Sequence, residues 1–409
     1  MYRVIEGGIT APEGFKATGR HIGIKKIKKD IALLQSEVPA KAAGSYTKSL
    51  VKAAHIYWDK ELTDSGKNIR GLVCISGNAN ACTGEKGILD NREMAKTFAD
   101  EIGAKEDEIL TAATGVIGLE MPMRTIKMGI KQTAKLLSNK REEAKNAAMG
   151  IITTDTFVKE IALQMTVADK QVRIGGMCKG SGMIHPNMAT VLSFITTDLN
   201  ISQKLLQKAL NHSVRETYNM ISVDGATSTN DMAIVLANGM AGNEEITEEN
   251  EFFEEFKNAL YFVNEKFAKD IVHDGEGSKK FLQVNISGAR SEEDARLMAK
   301  AIVTNNLVKT AMFGEDANWG RVVAAMGASE GKFNPDKLDM YFESEKGKVL
   351  LMEKGRPVAF DENEAANILR EKDIFIDIFL NDGDCEARSW GCDLGHEYIR
   401  INGEYRSRT

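Results

Sequence analysis

The sequence predicts an α/β fold, shading into α+β, organised in two lobes. Three observations predict it. The chain has 409 residues, more than the roughly 100–200 of a typical single domain. Its composition, 43% hydrophobic and 27% charged, supplies enough apolar material for a large core. Short apolar runs of strand length alternate with longer stretches of helical spacing, and neither an internal repeat nor a low-complexity segment interrupts them.

The elements follow in chain order. Gly71-Leu72-Val73-Cys74-Ile75 is a compact apolar run closed by Ser76-Gly77-Asn78-Ala79-Asn80, the pattern of a buried strand feeding a loop. Residues 91–102 put Met94, Phe98 and Ile102 on one helical face, and Met128 to Leu137 continue in that style. Met149 to Thr154 and Val191 to Thr197 read as strands. Ser202 opens a helix with Leu205, Leu206, Ala209, Leu210 and Val214 on one stripe. Met232 to Leu236 is a further buried strand. Residues 250–270 form a long amphipathic helix through Phe252, Phe256, Leu260 and Val263. Ser291-Glu292-Glu293-Asp294 resembles a capping box opening a helix that runs through Ile302. Phe281 to Ile286, Ile374 to Phe379 and Tyr398 to Ile401 read as late strands. The glycine-rich run before residue 190 predicts a boundary near 189.

Several function classes are excluded. A net charge of −6 attracts neither nucleic acid nor an anionic membrane, and Lys25-Lys26-Ile27-Lys28-Lys29 is short enough to be a solvated face. The start of the chain has no apolar stretch of signal-peptide length, and no run approaches the ~18 residues of a membrane span, so the expected location is cytoplasmic. The five cysteines are unevenly spaced and without CxxC, as reduced thiols would be. Cys178, beside Lys179, reads as a small buried hydrophobe before it reads as a nucleophile. No zinc motif joins any of the six histidines, so no metal is expected. The serine-hydrolase elbow and the dinucleotide fingerprint are missing. Gly175 to Ser181 imitates a phosphate loop, but with its lysine on the wrong side of the last glycine.

What remains is Thr190. The segment Lys179-Gly180-Ser181-Gly182-Met183-Ile184-His185-Pro186-Asn187-Met188-Ala189 ends there, and the apolar run from Val191 begins. A threonine hydroxyl is a poor nucleophile without a base. An N-terminal threonine brings its own, an α-amine with an ordinary pKa of about 7.7–8.0, which a neighbouring cation such as Lys179 would lower. Freeing that amine needs scission of the Ala189–Thr190 bond: the Thr190 hydroxyl attacks the Ala189 carbonyl, the acyl group shifts from nitrogen to oxygen, and water hydrolyses the ester. By spacing alone the same segment also reads as a plain turn before a strand. Thr114-Gly115-Val116-Ile117-Gly118 is either an oxyanion-binding loop or a turn. Glu276, between Gly275 and Gly277, suits a substrate ammonium or lies in a solvated loop. Asp224-Gly225-Ala226-Thr227-Ser228-Thr229-Asn230-Asp231 either supports a site through hydrogen bonds or closes a turn.

The chain resembles the ornithine acetyltransferase family, the glutamate N-acetyltransferases of arginine biosynthesis. The resemblance runs nearly end to end, through Gly8-Ile9-Thr10-Ala11-Pro12, Gly77 to Gly84, Thr114-Gly115, Lys179 to Leu192, Asp224 to Asp231 and Asp274-Gly275-Glu276-Gly277. It continues through Asn318-Trp319-Gly320-Arg321 and Trp390-Gly391-Cys392-Asp393-Leu394. It implies mixed sheets stacked and flanked by helices, in an autoprocessed threonine-nucleophile acyltransferase. It implies self-cleavage between Ala189 and Thr190 into chains 1–189 and 190–409, which stay together and pair into a heterotetramer. The reaction implied is acetyl transfer from N-acetylornithine to glutamate through acetyl-Thr190. Thr114 and Gly115 match the family's oxyanion hole; Thr153, Lys179, Thr190, Glu276, Asn402 and Ser407 match its substrate-binding positions, with Thr409 an alternative to Ser407. No cofactor is implied beyond acetyl-CoA as an alternative acetyl donor. A related autocleaving threonine amidohydrolase or aminopeptidase, passing the acyl group to water, is the competing expectation; an amino-acid-binding protein with structural glycine loops is a third.

Overall fold

The computed structural model describes residues 2–185 and 191–404. Among them two mixed sheets, of nine and seven strands, are flanked by helices. The larger sheet is organised by the 16-residue strand Ile31–Tyr46. Its first half pairs with Phe15–Arg20 and Ile69–Asn78, and its second half with Met232–Ala237. The register breaks between Gln35 and Ala40, which bends the strand so that it can serve two sets of neighbours. From Met232–Ala237 the sheet continues through Leu192–Thr197, Lys170–Lys179 and Lys159–Val167 to Tyr2–Ile5. From Ile69–Asn78 it ends at Ile109–Val116. Every residue of Leu192–Thr197 and Met232–Ala237 is buried; the two pair in parallel, and Met232–Ala237 reads as an unbroken apolar run.

The smaller sheet runs in the order Arg356–Pro357, Gly347–Glu353, Asp339–Ser344, Asp373–Phe379, Phe281–Ala289, Cys385–Cys392 and Ile221–Ser222. Helices Gln203–Glu216 and Glu251–His273 bring Leu206, Leu210, Phe256, Val263 and Phe267 into one core with Val284, Ile376 and Trp390 of that sheet. A second core sits where helix Arg141–Ile151 lies on the larger sheet, Ala144, Ala147 and Ile151 meeting Phe15, Leu34 and Phe194. A third packs Met94, Phe98, Ile126 and Ile130 of helices Gly84–Ile102 and Met123–Ala134 against Leu33, Val73 and Ile75. Among the described residues no helix is long and apolar enough to cross a membrane.

Most elements lie where the periodicity puts them, with four differences. Met149 to Thr154 is not a strand: helix Arg141–Ile151 runs into it, and only Ile152 begins the loop. The apolar positions Ala144, Ala147, Ala148 and Ile151 belong to one helical stripe, and Glu142 and Glu143 favour the helix's first turn. Tyr398 to Ile401 lies in helix His396–Gly403; Ile399 is 69% exposed, so its apolar character never marked a buried strand. The strand beginning at Ile69 does not close at Ser76 but continues to Asn78, because Gly77 and Asn78 still pair with Thr114, Gly115 and Val116. Finally, the lysine run at 25–29 is not wholly solvated: Lys25 donates to Ile152 O at 2.8 Å and Lys28 to Thr153 O at 3.2 Å.

The segment containing residue 189 joins two neighbouring strands of one sheet. Lys170–Lys179 and Leu192–Thr197 are antiparallel partners, in register from Ile174 opposite Thr197 to Lys179 opposite Leu192.

Candidate active site

The site begins where two parallel strands end. Ile69–Asn78 and Ile109–Val116 run side by side, and their backbones turn to positive φ at the same level, +114° at Gly77 and +135° at Gly115. A Cβ at 115 would stand 2.3 Å from the Gly77 carbonyl carbon, so close approach as well as φ demands glycine. Asn78 Nδ2 donates to Leu119 O and Glu120 O at 3.2 and 2.9 Å, and Ala79 N donates to Val116 O at 3.0 Å. These bonds fix the loop after Thr114 and Gly115.

Asn230 braces the same loop from behind. Its amide nitrogen donates to Ala79 O at 2.5 Å and to Ala113 O at 2.8 Å. Its own carbonyl lies 2.9 Å from His55 Nε2. Burial pushes the His55 imidazole down to about 4, so it is neutral at pH 7; a carbonyl only accepts, so the proton is on Nε2. Thr114, Gly115 and Asn230 are thereby parts of one rigid wall.

The opposite wall comes from three loops held by buried charge. Asp155 Oδ1 accepts from Lys159 Nζ and from Gly180 N, both at 2.8 Å, and its Oδ2 accepts from Thr153 N at 3.0 Å. Lys159 also bonds Asp274, which receives Thr156 N at 3.1 Å. Burial alone would raise the Asp155 carboxyl, but the ammonium groups of Lys159 and Lys179 and the hydrogen bonds outweigh it and hold the group at about 2. Burial likewise works against the Lys159 ammonium, and Asp155 and Asp274 more than offset it, so its pKa is raised. The cluster locks the loop with Thr153 and Thr154 to the end of the Lys179 strand and to the loop with Glu276.

Glu276 is 8% exposed. Its N–H donates to Ser181 O at 2.9 Å, and its Oε2 accepts from Asn402 Nδ2 at 2.8 Å. Two glycines make room for it. A Cβ at Gly182 would lie 2.4 Å from the Glu276 carboxyl carbon, and one at Gly277 would lie 2.5 Å from Tyr398 N. The second vacancy seats helix His396–Gly403, which carries Asn402. Tyr398 Oη donates to Asp224 Oδ2 at 3.2 Å, and the Asp224 carboxylate accepts from Met183 N and Ile184 N at 2.7 and 2.9 Å.

Between the walls is a cavity of about 270 Å³, small enough to match a single amino-acid derivative. Thr114, Gly115, Thr153, Lys179, Glu276 and Asn402 all line it, although they span almost 290 positions of sequence. Ala189, Thr190, Ser407 and Thr409 lie outside the described residues. The stretch 224–231 contributes Ser228, Thr229, Asn230 and Asp231 to the lining, so it does more than close a turn. Sequence reasoning missed Thr154, His55 and the Asp155–Lys159 pair; that pair carried no local signal, because Asp155 lies in a loop and Lys159 opens a strand. Cys178 faces the core, and burial pushes its thiol up to about 12, which leaves no thiolate for nucleophilic work. The arrangement lines the cavity with Thr114 and Gly115, one lysine and two carboxyl groups.

Residues 16–407 match the model of the ArgJ family. A protein named arginine biosynthesis bifunctional protein ArgJ, from Caldanaerobacter subterraneus subsp. tengcongensis, is 49% identical over 404 residues, covering 99% of this chain and 100% of that one. A protein of the same name from Thermotoga neapolitana is 48% identical over 399 residues, covering 97% and 99%. A solved structure of ornithine acetyltransferase complexed with ornithine, from Mycobacterium tuberculosis, is 34% identical; it covers 46% of this chain and 100% of its own at a TM-score of 0.44. With a family match over nearly its whole length and relatives identical at almost half their positions, the chain belongs to the ArgJ family.

Proposed function

We propose that this enzyme transfers acetyl from N2-acetyl-L-ornithine to L-glutamate in arginine biosynthesis, by a ping-pong route through acetyl-Thr190. The observation that carries the reading is the single cavity in which Thr114, Gly115, Thr153, Lys179, Glu276 and Asn402 converge; the name shared by its relatives supports the pathway. Scission of Ala189–Thr190 by the Thr190 hydroxyl frees an α-amine that then serves as base for the same hydroxyl. Thr114 and Gly115 stabilise the oxyanion of both scission and transfer. Lys179 faces the α-carboxylate common to donor and acceptor, and Glu276, held by Asn402, faces the side-chain ammonium of ornithine. Chains 1–189 and 190–409 remain associated and pair into a heterotetramer in the cytoplasm, with Ser407 or Thr409 closing the site. Acetyl-CoA is a second acetyl donor in this reading, with no other cofactor.

Two measurements test it. N-terminal sequencing of active protein should find a second polypeptide beginning Thr-Val-Leu-Ser-Phe, and Thr190→Ala should abolish both that chain and acetylglutamate formation. A single intact chain with full activity defeats the reading. Incubation with glutamate and acetyl-CoA alone tests the second donor: acetylglutamate should form without acetylornithine.

A further inference from the structure

The acetyl-transfer reading leaves one proton without a carrier. Ornithine departs as a neutral amine and must become an ammonium, while glutamate arrives as an ammonium and must become a neutral amine before it can attack. The exchange between the Thr190 hydroxyl and its own amine does not supply that proton.

Asp231 stands in the cavity wall with the means to do so. It is 5% exposed, and its Oδ2 has no hydrogen-bond partner among the described residues, an expensive state for a buried carboxyl that serves no purpose. It cannot be withdrawn easily, because its carbonyl accepts from Thr47 N at 3.0 Å and the next amide, Met232 N, donates to Val191 O at 2.9 Å. Among the described residues the other charged groups lining the cavity are Lys179, at the end of a strand two places away in the sheet, and Glu276, across the cavity and already bonded to Asn402. Burial raises the Asp231 carboxyl well above its ordinary value, and the Lys179 charge and Ser228 offset that only in part. The resting group is therefore biased towards the protonated acid.

We propose, resting on the acetyl-transfer reading, that Asp231 is a further catalytic residue that carries the amine proton from one half-reaction to the other. In the first half the carboxyl O–H gives its proton to the departing ornithine amine, leaving an ammonium and the Asp231 carboxylate. In the second, the glutamate ammonium returns a proton to that carboxylate, leaving the free amine that attacks the acetyl ester. The cycle ends with the acid restored and no net proton taken from water.

The test uses the cleaved enzyme, acetylated with N-acetylornithine, freed of it, and mixed in single turnover with either glutamate or hydroxylamine. Hydroxylamine is uncharged at neutral pH and needs no proton removed before attack. Asp231→Asn, which keeps shape and volume, should react with hydroxylamine at nearly the unsubstituted rate. With glutamate it should be slower by about a hundredfold or more at pH 7, a loss shrinking about tenfold per pH unit as the amine deprotonates in solvent. Equal losses with both nucleophiles, or none with either, overturn the proposal. Should the variant fail to hold acetyl, the unsubstituted enzyme decides: a glutamate rate constant that stops rising with pH while most free glutamate amine is still protonated supports Asp231, and one climbing about tenfold per unit in step with that amine's own deprotonation overturns it. If the unsubstituted enzyme never becomes acetylated, the acetyl-transfer reading itself fails, a result separate from either pattern.

Discussion

At the scale of single residues, the wall behind Thr114 and Gly115 depends on one amide. Asn230 bonds the carbonyls of Ala79 and Ala113, so it sets the direction of the peptide group between Ala113 and Thr114 and ties it to the loop at Ala79. Asn230→Ala is expected to slow scission at residue 190 and acetyl transfer by similar factors, about tenfold to a hundredfold. Gel densitometry and an acetylglutamate assay would check both; a change in KM alone would assign Asn230 to substrate binding instead. His55 carries a pH signature. Its folded value is about 4 against an ordinary 6.5, so the folded protein keeps it neutral while the unfolded chain takes up a proton below 6.5. Stability from this group is full above 6.5 and is lost as pH falls towards 4, by at most about 3 kcal/mol. Denaturant midpoints measured across that window should fall for the unsubstituted protein and fall less for His55→Gln. His55 was not legible as part of the site, and Asn230 was so only as one of two open readings. The polar stretch around Asn230 offered itself equally as a turn, and a lone histidine on a helix face carries no sign of what its carbonyl partner supports.

At the scale of elements, what could be read depended on whether one face alone explained the pattern. Helix Glu251–His273 buries a single apolar stripe, and periodicity finds it; strand Met232–Ala237, buried on both faces, is found as an unbroken apolar run instead. Met149 to Thr154 misled because a helix end and the loop after it together imitate a strand. Tyr398 to Ile401 misled because the short helix there is defined by docking, not by its own stripe. That docking is testable. At Gly277, φ is +72° and a Cβ would press on Tyr398 N, so Gly277→Ala should shift helix His396–Gly403 and part Asn402 from Glu276. The expected result is a KM for acetylornithine raised about tenfold, with kcat changed less. The buried cluster makes a stability prediction. Lys159→Met removes the charge that Asp155 and Asp274 share and should cost about 3–5 kcal/mol in chemical denaturation, because two carboxyl groups remain buried without their cation.

At the scale of the molecule, the class of fold was legible and the strand order was not. Alternating strands and helices pointed to mixed sheets, but nothing local reveals that Tyr2–Ile5 pairs with Lys159–Val167 or that Ile31–Tyr46 spans two halves of one sheet. Such pairings are decided by packing among distant segments, as is the meeting of Thr114, Lys179 and Glu276. The family resemblance named those site residues; the spacing of the chain could not have brought them together. The proposed cut would fall between two strands that remain hydrogen-bonded to each other along their length. Cleaved protein should therefore run in native gel filtration with both polypeptides in one peak and melt within a few degrees of an uncleaved Thr190→Ala protein. Two separable halves without denaturant would contradict this.

With the proposed cut, that pair of strands would also give the molecule a history it could not repeat. While the chain is whole, Lys170–Lys179 and Leu192–Thr197 find each other across a short tether, at a modest entropic cost. After the proposed scission the same encounter would be between two polymers, each exposing an unsatisfied sheet edge while it waits. Recovery from urea should then depend on dilution and be lost to aggregates at high concentration, whereas the uncut precursor refolds as a unimolecular process. Maturation would in that sense be a ratchet: the enzyme acquires its nucleophile by giving up the connection that made assembly easy.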